Sequence, residues 1–177
     1  DAHQASKSKI QESIQRIERE IASEKVGGKI SSAQTFKGYT GGRTQKELDD
    51  LAGDPSHGGR IEKQGIKERE IGLDLEGKGK LGRIVRDPTA DKGAEFIDTK
   101  TGIKWDVKSF ESYPNGHTSP KKGAFTVNKA MNKIEKEFDR GHNVIIDKRK
   151  LVPEHIDQLE KAIKDAGFYS RILWYPD

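Results

Sequence analysis

The sequence predicts an α/β domain in which a mixed central sheet is flanked by helices, and two observations predict it. From residue 61 onward the pattern alternates in the order helix, strand, strand, strand, helix, strand, helix, strand. In the middle of that run, Gly93 to Glu111 has the pattern of two antiparallel strands joined by the turn Thr99 to Gly102. The remaining elements are expected to be built around this hairpin.

The composition limits the class of protein. The 177 residues are 31% hydrophobic and 35% charged, which indicates one compact domain with a polar segment attached. Cysteine is absent from the sequence, so disulfides and thiolate metal ligands are excluded. No apolar run is long enough for a transmembrane span. The formal net charge of +4 is compatible with a polyanionic partner.

Residues 1–60 are predicted to be an N-terminal helical and glycine-rich segment. Ser6 to Val26 carries isoleucines at spacings of four, three and four, which favours a helix that packs on its own domain or docks on a partner. Gly27 to Arg60 contains eight glycines and is interpreted as a linker. Within it, Thr44 and Glu47 form a capping box for a short helix from Thr44 to Ala52.

Residues 61–177 are predicted to form the globular domain. Apolar residues at spacings of three and four predict each helix, and short runs rich in branched and aromatic residues predict each strand. The predicted helices are Ile61 to Glu76, Phe125 to Arg140 and Pro153 to Ala166, and the strands outside the hairpin are Gly82 to Arg86, Asn143 to Asp147 and Ser170 to Tyr175.

The hairpin places charged residues on one face. If its turn sets the register, Phe96 pairs with Trp105 and Glu95 lies opposite Asp106. Because side chains alternate along a strand, the apolar residues then share one face, and Glu95, Asp106 and Lys108 share the other. We expect the first face to be core and the second to serve chemistry or solvent.

Two carboxylates brought across a strand pair repel each other unless a cation lies between them. Glu95 and Asp106 therefore make a candidate site for a divalent metal ion, Mg²⁺ or Mn²⁺ by ligand type, with Zn²⁺ as a further option. Lys108 could hold the attacking water or neutralise charge on a phosphate. Glu70, or else Glu68, could supply a third carboxylate from the preceding helix. The alternative is a solvent-facing ladder in which lysines merely neutralise the acids.

Basic residues follow the hairpin in a loop and along the next helix, where they could contact phosphates. The alternative is a solvated helix face, because Glu135 and Glu137 are interspersed among the lysines. The candidate nucleic-acid-binding residues are Lys121, Lys122, Lys129, Lys133 and Lys136.

An acid on a helix, an acid on one strand and Asp-Val-Lys on the next strand together resemble the PD-(D/E)XK nuclease superfamily. The core of that superfamily is a helix, three strands, a helix and a further strand, with a divalent metal ion at the acids. Two longer strings are similar to C-terminal toxin domains of contact-dependent growth inhibition effectors of bacteria. They read DPTADKGAEFIDTKTGIKWDVKSF and NKAMNKIEKEFDRGHNVIIDKRKLVPEHIDQLEKAI. The resemblance covers about residues 61 to 175.

This resemblance implies a metal-dependent ribonuclease toxin that cleaves tRNA in target bacteria. Glu95 matches the first strand acid, Asp106 and Lys108 match the (D/E)-x-K, and Glu70 matches the helix acid. The resemblance also implies a cognate immunity protein, and a cell-surface effector whose C-terminus is delivered to the target-cell cytoplasm with help from residues 1–60. The alternatives are a DNase of the same fold, a non-catalytic nucleic-acid-binding module, and an adaptor that acts through its N-terminal helix.

Overall fold

The computed structural model describes residues 38–114 and 123–177, and it divides the chain into two compact units, Asp1–Ala90 and Asp91–Asp177. The predicted helix from Ser6 to Val26 and the candidate residues Lys121 and Lys122 lie outside the described residues. The two units divide after Ala90, later in the chain than the boundary that the sequence predicts near residue 60. That boundary between an N-terminal segment and a nuclease domain stays a prediction.

The described part of the first unit contains two α-helices joined by a small antiparallel ribbon. The capping box is confirmed, because the Thr44 hydroxyl accepts from the Glu47 amide and the Glu47 carboxylate accepts from the Thr44 amide. Leu48 and Leu51 of that helix are buried, so this part of the predicted linker is packed. The elements are α1 (Gln45–Ala52), β1 (Gly53–Asp54), β2 (Arg60–Ile61), α2 (Lys63–Gly77) and β3 (Ile84–Arg86), with a 3-10 turn at Pro55–His57.

A buried ion pair ties the end of α2 to β3 and to the chain before α1. Arg43 donates two hydrogen bonds to Glu76, at 2.6 and 2.8 Å, and a third to the Ile84 carbonyl at 2.8 Å. Glu76 also accepts from the Ile84 amide at 2.7 Å. Because both charged groups are bidentate and shielded from water, the loss of either would leave an uncompensated buried charge.

The second unit is built on a mixed sheet in which β4 is antiparallel to β5, while β5, β6 and β7 run parallel. The predicted fold class, α/β with a mixed sheet flanked by helices, is confirmed at that level. Among the described residues, no helix has the length and apolar character needed to cross a membrane. The elements are β4 (Phe96–Asp98), β5 (Lys104–Glu111), α3 (Val127–Asp139), β6 (His142–Lys150), α4 (Pro153–Asp165) and β7 (Ile172–Tyr175), with a 3-10 turn at Tyr169–Arg171.

The core of the second unit lies between α3, α4 and one face of the sheet. Parallel neighbours require crossover connections, and α3 and α4 are those connections. Each helix contributes the apolar face that its periodicity predicted. The buried cluster consists of Phe110, Ala130, Ile134, Val144, Ile146, Leu151, Leu159, Ile163 and Ile172.

The predicted hairpin register is confirmed up to Phe96, which pairs with Trp105. The Asp98 amide donates to the Ile103 carbonyl at 2.9 Å, so the turn closes as the sequence predicted. β4 begins only at Phe96, and the Glu95 amide donates to the carbonyl of Trp105 at 3.1 Å. The regular ladder therefore ends before the predicted pairing of Glu95 with Asp106.

A substitution at Gly65, where α2 approaches the end of α1 closely, tests the packing of the first unit. A Cβ atom added at Gly65 would collide with the carbonyl oxygen of Ala52. We expect Gly65→Ala to destabilise the protein by about 1–3 kcal/mol, because overpacking outweighs the gain of about 1 kcal/mol in helix propensity. Thermal unfolding followed by circular dichroism measures the change. Gln64→Ala, at an exposed position of the same turn, is the control, and equal melting temperatures for the two variants would contradict this packing.

Candidate active site

Asp106 and Lys108 lie on the helix-covered face of β5. Asp106 pairs with Val144 and Lys108 with Ile146, and both partners belong to the buried cluster under α3 and α4. On the opposite face, Trp105 is also buried, with 7% of its surface exposed. The alternative of a solvent-facing ladder is therefore wrong for β5, because this strand is central in the sheet and residues on both of its faces are buried.

The structure brings Asp106 and Lys108 together as an ion pair. Lys108 Nζ lies 3.0 Å from Asp106 Oδ2. Asp106 is only 5% exposed, and its Oδ2 atom has no hydrogen-bond partner among the described residues. The Lys108 ammonium is therefore the cation that compensates this buried oxygen, and its loss would leave the Asp106 carboxylate without a counter-charge.

Glu137 of α3 is the centre of the charged cluster around Lys108. Its carboxylate accepts from Lys108 Nζ at 3.3 Å and from Arg140 Nη1 at 3.0 Å, and it lies 3.0 Å from His142 Nδ1. Glu137 is 3% exposed and His142 is 3% exposed. The interpretation of Glu137 as part of a solvated face is therefore wrong, whereas Glu135 is exposed as expected.

Sequence reasoning missed both Glu137 and His142 as members of this site. The signal was present, since Glu137 stands three residues after Ile134 and seven after Ala130, on the buried stripe of α3. His142 follows Gly141 directly at the start of β6, where the chain turns back under the helix end.

The cluster shifts two ionisation equilibria. Burial opposes ionisation of Glu137, but hydrogen bonding to His142 and the charges of Lys108 and Arg140 hold its pKa below the ordinary value. Burial likewise opposes the charged form of Lys108, but the Asp106 and Glu137 carboxylates raise its pKa above the ordinary value. Both groups are therefore charged at neutral pH.

Glu95 reaches the same strand through its side chain. Its Oε2 atom accepts a hydrogen bond from the Val107 amide at 2.7 Å, beyond the last residue pair of the β4–β5 ladder. Val107 is the residue between Asp106 and Lys108. Of the four predicted catalytic residues, Asp106 and Lys108 thus lie on β5, and Glu95 is bound to the backbone amide between them.

Glu70 and Glu68 lie on α2 of the first unit. Glu70 is exposed there. Glu68 is buried, and its carboxylate lies 3.2 Å from Arg86 Nη1. Glu70 is therefore the more accessible of the two candidates for the helix acid.

The predicted basic stripe is exposed along α3. Lys129, Lys133 and Lys136 lie on its outer face, and within residues 38–114 and 123–177 they have no ion-pair partner. Arg140, the next basic residue of the stripe, is instead held by Glu137. Within the described residues, three lysines of the stripe are thus without an ion-pair partner, and the exposed Arg140 is paired with Glu137.

The second unit is thus an α/β structure in which Glu137 joins charged residues of β5, α3 and β6. In the described part of the chain, no three His, Cys, Asp or Glu residues are arranged as a ready-made metal site. Searches of protein-family models, of curated proteins and of solved structures find no match to this chain.

The Glu137 cluster predicts a pH dependence of stability. Because the pKa of Glu137 is lower in the folded protein than in the unfolded chain, the unfolded chain binds a proton first as the pH falls. The stabilisation by ionised Glu137 is therefore present above the unfolded pKa of about 4.3, and it is lost as the pH falls through the folded pKa. We expect Glu137→Gln to cost about 3 kcal/mol at pH 7, because it uncouples buried charges, and to cost less in acid. Urea unfolding at neutral and acidic pH measures this difference.

Glu135→Gln is the control, because it removes the same charge from the exposed face of the same helix. An acid-induced loss of stability as large in Glu137→Gln as in the native protein would contradict the assignment.

Proposed function

We propose that this chain is a metal-dependent nuclease that acts on nucleic-acid phosphodiesters, with tRNA as the favoured substrate. The observation that supports it best is the pair on β5, where the buried Asp106 carboxylate lies 3.0 Å from the Lys108 ammonium, whose pKa is raised. A carboxylate next to an ammonium group on one strand is the arrangement that phosphodiester hydrolysis needs, since one binds a cation and the other faces developing negative charge.

The residues present fit a hard divalent cation. The Asp106 carboxylate is buried beside Lys108, and the Glu95 carboxylate accepts a hydrogen bond from the adjoining Val107 amide. Mg²⁺ and Mn²⁺ are commonly held by one or two carboxylates, with water and substrate phosphate completing the shell. Glu95 and Asp106 would hold the ion. Such an ion supplies Lewis acidity and lowers the pKa of bound water.

Lys108 acts in this proposal as a fixed positive charge. Its raised pKa keeps it protonated at neutral pH, so it can donate a hydrogen bond to a phosphate oxygen or orient the attacking water. Its contacts with Asp106 and Glu137 limit its rotamers, which lowers the entropy lost when substrate binds.

Charge and resemblance both favour a nucleic-acid substrate. Three exposed lysines on α3 have no partner within the described residues, and they suit a phosphate backbone. The similarity to growth-inhibition toxin domains favours tRNA, a cognate immunity protein as partner, and delivery from a cell-surface effector into the target-cell cytoplasm. A DNase of the same fold is the alternative within this class.

A non-catalytic nucleic-acid-binding module is the second candidate, and one observation favours it. Lys108 is shared between Asp106 and Glu137, and Glu137 is also bound by Arg140 and His142. In that case the closed ionic cluster has a purely structural role, which is to fix α3 on the sheet. Tight, salt-dependent binding without product in any divalent metal ion would support this candidate over the nuclease.

Substitutions at the β5 pair test catalysis. We expect Asp106→Asn and Lys108→Met each to lower the rate of tRNA cleavage by about a hundredfold or more, because each removes a charge that the transition state requires. EDTA should abolish cleavage by the native chain, and Mg²⁺ or Mn²⁺ should restore it. Gel analysis of total tRNA, with supercoiled plasmid in a parallel reaction, separates the ribonuclease from the deoxyribonuclease.

The matched controls are Asp139→Asn and Lys100→Met, which remove the same charges from exposed positions. Circular dichroism shows whether each variant keeps the fold. Cleavage that survives both β5 substitutions and EDTA would refute the mechanism.

A further inference from the structure

A cavity of about 230 Å³ opens at the carboxyl end of β5, beside the first turns of α3. Its lining is mixed: Phe110 and Phe125 supply apolar wall, Ser109 and Glu111 supply polar atoms, and Lys129 and Lys133 supply positive charge. Ligands of parallel α/β sheets bind at the carboxyl ends of the strands, which is where this cavity lies. We call it the Phe125 cavity.

The aromatic wall is held in place before any ligand arrives. The Phe125 ring lies 4.9 Å from the His155 ring at a tilt of 31°, and it meets Phe110 edge-on at 5.9 Å. The Phe125 amide donates to the Ser112 carbonyl at 3.0 Å, which fixes the backbone as well. An aromatic ring fixed in this way gives a base a stacking partner at little cost in entropy.

The charge of the cavity is positive. Lys129 and Lys133 lie one turn apart on α3, and neither has an ion-pair partner within residues 38–114 and 123–177. Glu111 is the one carboxylate of the lining, so the cavity carries one net positive charge. Ser109 already donates its hydroxyl hydrogen to Asp147 Oδ2 at 3.1 Å, so its oxygen is left as an acceptor.

From these features we propose that the Phe125 cavity holds one unstacked nucleotide of a single-stranded nucleic acid, with its base against Phe125 and its phosphate on Lys129 and Lys133. The volume is below the range of about 300–1,000 Å³ typical of sites for larger ligands, and it suits one nucleotide rather than a duplex. An aromatic platform beside unpaired cations is how proteins bind unpaired bases. The inference rests on the proposed function for its ligand class.

Binding of a short single strand in EDTA tests the cavity without cleavage. The probe is a fluorescein-labelled 2′-O-methyl RNA of about 12 nucleotides, read by anisotropy over a range of salt concentrations. Lys133→Gln should weaken binding about tenfold and lower the slope of log K against log salt by about 0.7, the value for one phosphate contact on a single strand. Lys129→Gln should behave in the same way.

Lys136→Gln is the matched control, because it removes the same charge from the same helix one turn beyond the cavity. Its effect should be clearly smaller. Equal effects at Lys133 and Lys136 would overturn the proposal in favour of a diffuse basic face.

A larger side chain in the cavity tests the contribution of its shape to binding separately from the contribution of its lysine charges. Ala124 lines the cavity and is partly exposed, so Ala124→Trp or, if that chain misfolds, Ala124→Leu should weaken binding several-fold while leaving the salt slope unchanged. Native affinity in a folded Ala124 variant would overturn the proposal. A chain that binds through this cavity yet cleaves no substrate would refute the nuclease and leave the cavity assignment standing.

Discussion

The second unit depends on how one buried carboxylate, that of Glu137, is compensated. An uncompensated carboxylate at 3% exposure would cost several kcal/mol, so the fold must bring cations to it. Those cations come from β5 as Lys108 and from the end of α3 as Arg140, and His142 at the start of β6 adds a hydrogen bond. The carboxylate therefore fixes the helix, the strand before it and the strand after it in one relative position.

That position decides what the Asp106 and Lys108 pair can do. Because α3 lies over β5, the pair is screened from bulk water, and its electrostatic interactions are stronger than those of an exposed ladder. The same strand continues past the pair to Ser109 and Glu111, which line the Phe125 cavity. One strand thus connects the proposed reacting groups to the proposed nucleotide subsite, and α3 carries both the anion that orders the pair and the lysines that face the cavity.

Much of the fold could be predicted because local chemistry and tertiary structure agree. The capping box of Thr44, the pairing of Phe96 with Trp105 and the buried stripe of Ala130 and Ile134 all follow from spacing and side-chain type. Burial of charge is where prediction failed. Glu137 has the spacing of a core residue and the chemistry of a surface residue, and only the tertiary meeting with Lys108 decides between them.

The pairing of Glu95 with Asp106 failed for a different reason. Alternation along a strand holds only while the ladder is regular, and the Glu95 amide bonds to Trp105, where the ladder ends. No pattern in the residues marks that end. The carboxylate nevertheless stays at β5 through its bond to the Val107 amide, so the hairpin gathers the acids without the predicted register.

Net charge sets the last condition on the proposed chemistry. With Lys108 protonated, the side chains of Glu95, Asp106, Glu137, Lys108 and Arg140 sum to three negative and two positive charges, a balance of one negative. A phosphodiester would be repelled weakly by such a site. A divalent cation on Glu95 and Asp106 would reverse the balance to one positive, so these side chains would attract the scissile phosphate only with the ion bound. Lys108 cannot act as the base in this scheme, because its raised pKa keeps its proton in place, and its contribution is confined to charge and orientation.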